Sequence, residues 1–212
     1  MKYLVVFNNK GEKTNQDATN MTDHYDRLPF LAEEAKGGSV EAANRIVSLL
    51  HKEVFRMIYY RIFSREDAED LTQEVFIKMF KGMGKLDDTD KIRPWLFAIA
   101  LNRVRDFKRW KSIERLFGRS YDELDKLSVE DSDPGAHMER MELIKNLQQF
   151  TDRLPGSEGE VFMLRFVDQL GIAEISSTLN KNESTVKTHL YRAIKKFRDD
   201  PFIQEMMKGG KV

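Results

Sequence analysis

The sequence predicts an all-α protein of two small helical domains joined by a flexible acidic linker, the second domain built around a helix-turn-helix. Three observations predict it. Apolar residues recur at helical spacing through most of the chain, whereas runs that alternate apolar and polar residues are nearly absent. Residues from about Ser112 to Pro134 carry no sustained apolar stripe and are rich in Asp, Glu and Ser, the composition of a connector. Beyond it, two helical patterns flank the three-residue turn Asn180-Lys181-Asn182. A chain of 212 residues, 41% hydrophobic and 33% charged, is long enough for two small cores. The boundaries that follow are an extension over 1–24, a first domain over 25–111, a linker over 112–135, a second domain over 136–198 and a tail over 199–212.

Each element has its own local signals. Tyr3, Leu4, Val5, Val6 and Phe7 form an apolar run too short for a signal peptide or a membrane span, so residues 1–24 read as a plain extension and no membrane insertion is expected. After Gly37 and Gly38, Ser39 caps a helix whose stripe is Ile46, Val47, Leu50, Val54, Met57 and Ile58, ending near Phe63. Ser64 and Asp67 resemble a capping box opening the next helix, which Gly82 and Gly84 close near Met83. Residues 85–93 are polar and turn-like. Pro94 then suits the first position of a helix running to about Lys111. The second domain is punctuated at Leu154-Pro155-Gly156, Leu170-Gly171 and Asn180-Lys181-Asn182.

Formal net charge is zero, but the charges segregate. Residues 91–111 hold seven Lys or Arg against one acid, and residues 181–198 hold six against one; residues 120–142 hold eight acids against two bases. Screening confines each patch's field to about a nanometre, so either basic patch suits a phosphate backbone despite the neutral total. The chain has no cysteine, which excludes disulfides and thiolate metal sites and fits a reducing, cytoplasmic compartment.

On the helix from Asp67 to Met83, Leu71, Val75, Phe76 and Met79 share one face; Asp70, Gln73, Glu74 and Ile77 fall on the opposite one. Paired acids on a surface helix are usually a solvated face; the functional reading is a docking surface for a basic partner with Ile77 at its centre. The stretch Asp67-Ala68-Glu69-Asp70-Leu71-Thr72-Gln73-Glu74-Val75-Phe76 resembles the core-binding helix of extracytoplasmic-function sigma factors of RNA polymerase. The resemblance implies that Asp70, Gln73 and Glu74 face the clamp helices of the polymerase's largest subunit, and Ile77, between them on the same face, completes the expected core-binding set.

Residues 94–111 mix apolar anchors with dense positive charge. Trp95, Leu96, Ile99, Ala100 and Phe107 share one side, with Arg103 on its flank, and Asn102, Arg105, Lys108 and Arg109 gather on another. The order Trp95-Leu96, Ile99-Ala100, Asn102, Asp106, Arg109 is similar to the same family's promoter-melting helix. It implies that the start-proximal promoter element is held as an unstacked strand, with a base captured in the adjacent loop. The loop departs from many relatives in having no aromatic residue shortly before the tryptophan, leaving Ile92 as its apolar candidate.

In the second helix of the helix-turn-helix, Val186, Leu190, Ala193, Ile194 and Phe197 form the inward stripe. Thr185, Thr188, His189, Arg192 and Lys196 lie opposite, where a recognition helix needs donors for base edges and phosphates. A helical hairpin with a basic outer face is also a common structural accident. Leu154-Pro155, Glu160 to Phe166, Glu174-Ile175 and Ser184 to Ala193 resemble the family's carboxy-terminal domain, which implies reading of the upstream promoter element, with Lys187 joining the contact set. Asn180, Ser184 and His189 depart from the usual glycine, glycine and arginine. Asn tolerates a left-handed turn position and Ser a helix start.

The four histidines, His24, His51, His137 and His189, show no metal-ligand spacing, and no nucleophile elbow or phosphate loop is present, so neither catalysis nor a metal or cofactor is expected. The resemblance implies core polymerase as a partner, through the clamp helices and the flap of the second-largest subunit, together with promoter DNA and an anti-sigma factor. It implies a cytoplasmic protein, nucleoid-associated in holoenzyme, serving a stress or envelope-signal regulon. Two other readings remain: a regulator whose helix-turn-helix binds DNA by itself while the amino-terminal part senses a signal, and a pure interaction protein, such as an adaptor that holds another factor.

Overall fold

The computed structural model describes residues 25–116 and 134–209, and among these every regular element is helical. The chain divides into two compact units. The first holds α1 (Leu28–Lys36), α2 (Val40–Ile62), α3 (Arg65–Gly82), 3-10 turns at Met83–Lys85 and Thr89–Lys91, and α4 (Ile92–Leu116). The second is built on α5 (Pro134–Asp152), α6 (Gly156–Phe166), α7 (Ile172–Leu179), α8 (Glu183–Asp199) and α9 (Pro201–Gly209). Most of the expected acidic linker lies outside the described residues.

In the first unit, α2 is the central helix, packed by α1, α3 and α4. Ser39 caps it by accepting from the Ala42 amide, and it stops at Phe63, whose φ of 54° is left-handed. Ile46, Leu50, Val54, Met57 and Ile58 are buried as expected, with Val47 at the margin. Ser64 opens α3 by accepting from the Asp67 amide at 3.3 Å. Ala68, Leu71, Val75, Phe76 and Met79 turn inward from α3.

Two expectations for α4 need correction. It starts at Ile92, so Pro94 stands third, not first; a 3-10 turn feeds straight into the helix, and the first-turn amides have no intrahelical acceptor in any case. It also runs past Lys111 to Leu116. Its buried stripe is Ile92, Leu96, Phe97, Ala100, Leu101 and Val104, rotated from the one expected. Trp95, Ile99 and Phe107 are half-buried at the stripe's edges. The Trp95 ring lies against Gly82, where an added Cβ would come within 3.0 Å of it.

A largely buried ion pair fixes the start of α4. Arg93 Nε and Nη2 donate to Glu53 Oε2 at 3.1 and 2.9 Å, and the Tyr25 hydroxyl donates to the other Glu53 oxygen. The guanidinium also lies over the Tyr25 and Phe97 rings, at 5.1 and 5.2 Å from their centroids. Burial, and then the hydrogen bond to Glu53, hold the Tyr25 phenol well above its ordinary pKa.

The second unit closes around Phe150 of α5, Phe162 of α6 and Phe197 of α8, whose ring centroids are 5.3 to 5.5 Å apart. Gly159 lets α6 cross the end of α5, since a Cβ there would meet the Thr151 carbonyl at 2.6 Å. Between α7 and α8, Asn180 takes the left-handed conformation (φ 50°), and Asn182 caps α8 by accepting from the Thr185 amide at 2.8 Å. Residues 201–209, expected as tail, form α9. Asp200 caps it through the Ile203 amide and pairs with Arg153 at 2.8 Å, and Ile203 is fully buried.

Candidate nucleic-acid and protein-docking surfaces

Three exposed faces carry the candidate residues, two on the first unit and one on the second. On α3, Asp70, Gln73, Glu74 and Ile77 all point away from the core because Leu71, Val75 and Met79 are anchored in it. Ile77 is 50% exposed, and Phe80, one turn on, is 44% exposed. Phe80 extends the apolar centre of this face, and its place at i+3 from Ile77 is the signal that marks it. Glu74 is already engaged: Arg103 of α4 donates to it.

On α4, Asn102, Arg105, Lys108 and Arg109 are exposed together. Arg105 donates to the Asn102 side chain at 2.9 Å, and Arg109 stands 3.9 Å from Asp106. Past them, Trp110 and Ile113 are 51% and 47% exposed. Lys111 lies 5.4 and 5.3 Å from the ring centroids of Phe107 and Trp110, so cations and aromatic faces are interleaved at this end. In the neighbouring loop, Ile92 is 1% exposed, which corrects its expected role as an apolar contact for a captured base. The helix start draws it into the core. The loop's exposed residues are polar: Lys91 pairs with Asp88 at 2.8 Å, holding the Asp88 carboxyl below its usual pKa.

On α8, Val186, Ala193 and Phe197 are buried, while Leu190 and Ile194 are only half so. The outward direction is therefore centred on Ser184, Thr188, Tyr191 and Lys195, with Lys187 and Arg192 beside it. Tyr191 is 66% exposed. Ser184, Tyr191 and Lys195 join this face, because with Leu190 and Ile194 only half-buried the inward direction narrows to Val186, Ala193 and Phe197 and the outward one turns toward them. Of the residues expected on this face, Thr188 and Arg192 are exposed and Lys187, also exposed, pairs with Glu183 at 3.0 Å. Thr185 and His189 are half-buried on the flank, and His189 Nδ1 is buried with no hydrogen-bond partner.

Lys196 needs a plainer correction. Its ammonium lies 2.8 Å from Glu158 on α6, a carboxylate with only 6% of its side chain exposed. The expected free cation is committed within the fold. A buried carboxylate requires a partner, and Lys196 is the one supplied. Among the described residues no three metal-capable side chains come together, and no helix is long and apolar enough to cross a membrane.

Residues 46–112 match the family described as Sigma-70 region 2, and residues 144–197 that described as Sigma-70, region 4. Among curated proteins, the chain is 32% identical over 170 residues to the ECF RNA polymerase sigma factor BldN of Streptomyces coelicolor, a match covering 80% of this chain and 64% of BldN. It is 27% identical over 165 residues to ECF RNA polymerase sigma factor SigW of Bacillus subtilis, covering 75% of this chain and 88% of SigW. CnrH, solved in complex with the cytosolic domain of CnrY, is similar in fold, with a TM-score of 0.61 at 18% identity over 87% of this chain and 99% of that one.

Proposed function

The chain belongs to the extracytoplasmic-function sigma factors of RNA polymerase, and we propose that it initiates transcription by docking on core polymerase with its first unit and gripping promoter DNA with both. The observation that carries the reading is the pairing of surfaces on the first unit: an acidic face with an apolar centre on α3, and a cationic, aromatic-edged face on the adjoining α4. Asp70, Gln73, Glu74, Ile77 and Phe80 meet the clamp helices of the largest subunit. Asn102, Arg105, Lys108 and Arg109 hold the opened non-template strand at the start-proximal element, where positive charge and stacking surfaces suit unpaired bases.

The second unit reads the upstream element as duplex, beneath the flap of the second-largest subunit. Thr188 and Arg192 approach base edges from the exposed side of α8, with Lys187 and Lys195 on phosphates and Thr185 and His189 at the edge of the contact. Lys196 holds α8 to Glu158. Sigma factors as a family are generally non-enzymatic, and this chain has no reaction, metal or cofactor of its own in this reading. It works in the cytoplasm, on the nucleoid when in holoenzyme, for a stress or envelope-signal regulon, under an anti-sigma factor.

Transcription in vitro from genomic fragments, with and without added core polymerase, tests the reading. Discrete promoter-specific transcripts are expected only with both components present. Site-specific DNA binding by the chain alone, with no transcripts, would instead make it a free-standing regulator; neither activity would make it an adaptor.

A further inference from the structure

We propose that Arg103 is a positioning residue that couples polymerase docking to strand capture, an inference that rests on the two surfaces assigned above. Arg103 sits on α4 with 25% of its side chain exposed, donating through Nη2 to Glu74 on α3. Its Nη1 is 3.6 Å from Asp106, and Asp106 is in turn 3.9 Å from Arg109. A row of alternating charges, Glu74, Arg103, Asp106 and Arg109, thus runs from the docking face to the strand face. Arg103 Nε is buried without a partner, so this arrangement leaves the guanidinium short of one hydrogen bond.

When the polymerase's cations take Glu74, Arg103 loses the nearer of its two carboxylates and meets like charge. The carboxylate nearest to it is then Asp106. As Arg103 closes on Asp106, Asp106 is withdrawn from Arg109, whose side chain is 75% exposed. One more cation is left for the strand's phosphates. Linkage makes the effect reciprocal: phosphates that draw Arg109 away leave Asp106 to Arg103 and loosen Glu74 for the polymerase. Exposed pairs are weak, so the coupling is about two- to fivefold.

Two double-mutant cycles on the full chain test this. Arg103→Met keeps the aliphatic stem and removes the charged fork; Arg103→Gln replaces it if circular dichroism shows lost helicity. In the first cycle, affinity for core polymerase is measured by fluorescence anisotropy. Arg103→Met should tighten binding about two- to fivefold by freeing Glu74, and the gain should vanish when Glu74 is already Gln. A gain that persists there is a plain charge effect and overturns the proposal, as does weaker binding.

In the second cycle, holoenzyme binds a non-template-strand oligonucleotide spanning the start-proximal element. Arg103→Met should weaken binding about two- to fivefold, because Asp106 returns to Arg109. Asp106→Asn should recover that loss in the Arg103→Met chain while changing the wild type little. Equal gains in both backgrounds overturn the relay. Failure of the docking face itself reads differently: Asp70→Lys with Glu74→Lys would then leave core binding undiminished.

Discussion

At Lys196 a surface cation meets an almost fully buried carboxylate, and the two side chains differ in what they lose when parted. Lys196 is 48% exposed and can return to water; Glu158, at 6%, cannot. Lys196→Met should therefore destabilise the second unit by about 1–3 kcal/mol through the stranded carboxylate. The urea midpoint of DNA-free protein is the measurement. Adding Glu158→Gln should restore most of the loss, and a Lys196→Met chain of wild-type stability that only binds DNA more weakly would return Lys196 to the phosphates. The pair was not legible in the sequence, because residues 158 and 196 are 38 positions apart and a helical wheel places Lys196 only relative to its own helix. Ser39, Ser64 and Asn180 were legible, since each acts on backbone within a few residues of itself.

Helices α4 and α9 show how neighbours decide what a helix buries. A wheel drawn for α4 alone places Trp95, Ile99 and Phe107 inward, but α2 and α3 pack on the direction of Leu96, Ala100 and Val104 instead. The cationic side is unaffected, because Asn102, Arg105 and Arg109 lie beyond either choice of stripe. Changing Arg105 and Arg109 together to Ala should flatten the salt dependence of open-complex formation by about two counterions. A fluorescent base analogue in the start-proximal element reports the opening, and an unaltered slope would move strand contact to the polar loop over residues 85–91. For α9 the nine-residue Pro201–Gly209 segment is shorter than the window over which a helical pattern is read from sequence, yet Ile203 is fully buried. Deleting residues 201–212 should cost the second unit about 1.5–3 kcal/mol, the transfer energy of one large aliphatic side chain. Urea unfolding checks this, and an unmoved midpoint would make α9 an ornament.

The whole chain is electrically neutral, so its attraction to DNA depends on how charge is divided between two compact units and the acidic sequence joining them. Each unit has its own buried core, one around α2 and the other around Phe150, Phe162 and Phe197. Separate fragments over residues 25–116 and 134–212 should therefore each unfold cooperatively, as seen by circular dichroism in urea. Joining them matters for a different reason. A promoter grip made at two elements gains from the connection, because a covalent tether presents the second unit at an effective concentration on the order of millimolar once the first is seated. Fragments mixed at about 100 nM forgo that gain, so transcription with core polymerase should fall by roughly a hundredfold or more against the intact chain. Raising only the second fragment toward the tether's effective concentration should recover activity progressively. If the mixed fragments match the intact chain at equal low concentration, the connector contributes no avidity, and upstream recognition must be carried by the second unit's affinity for the polymerase already bound to the first.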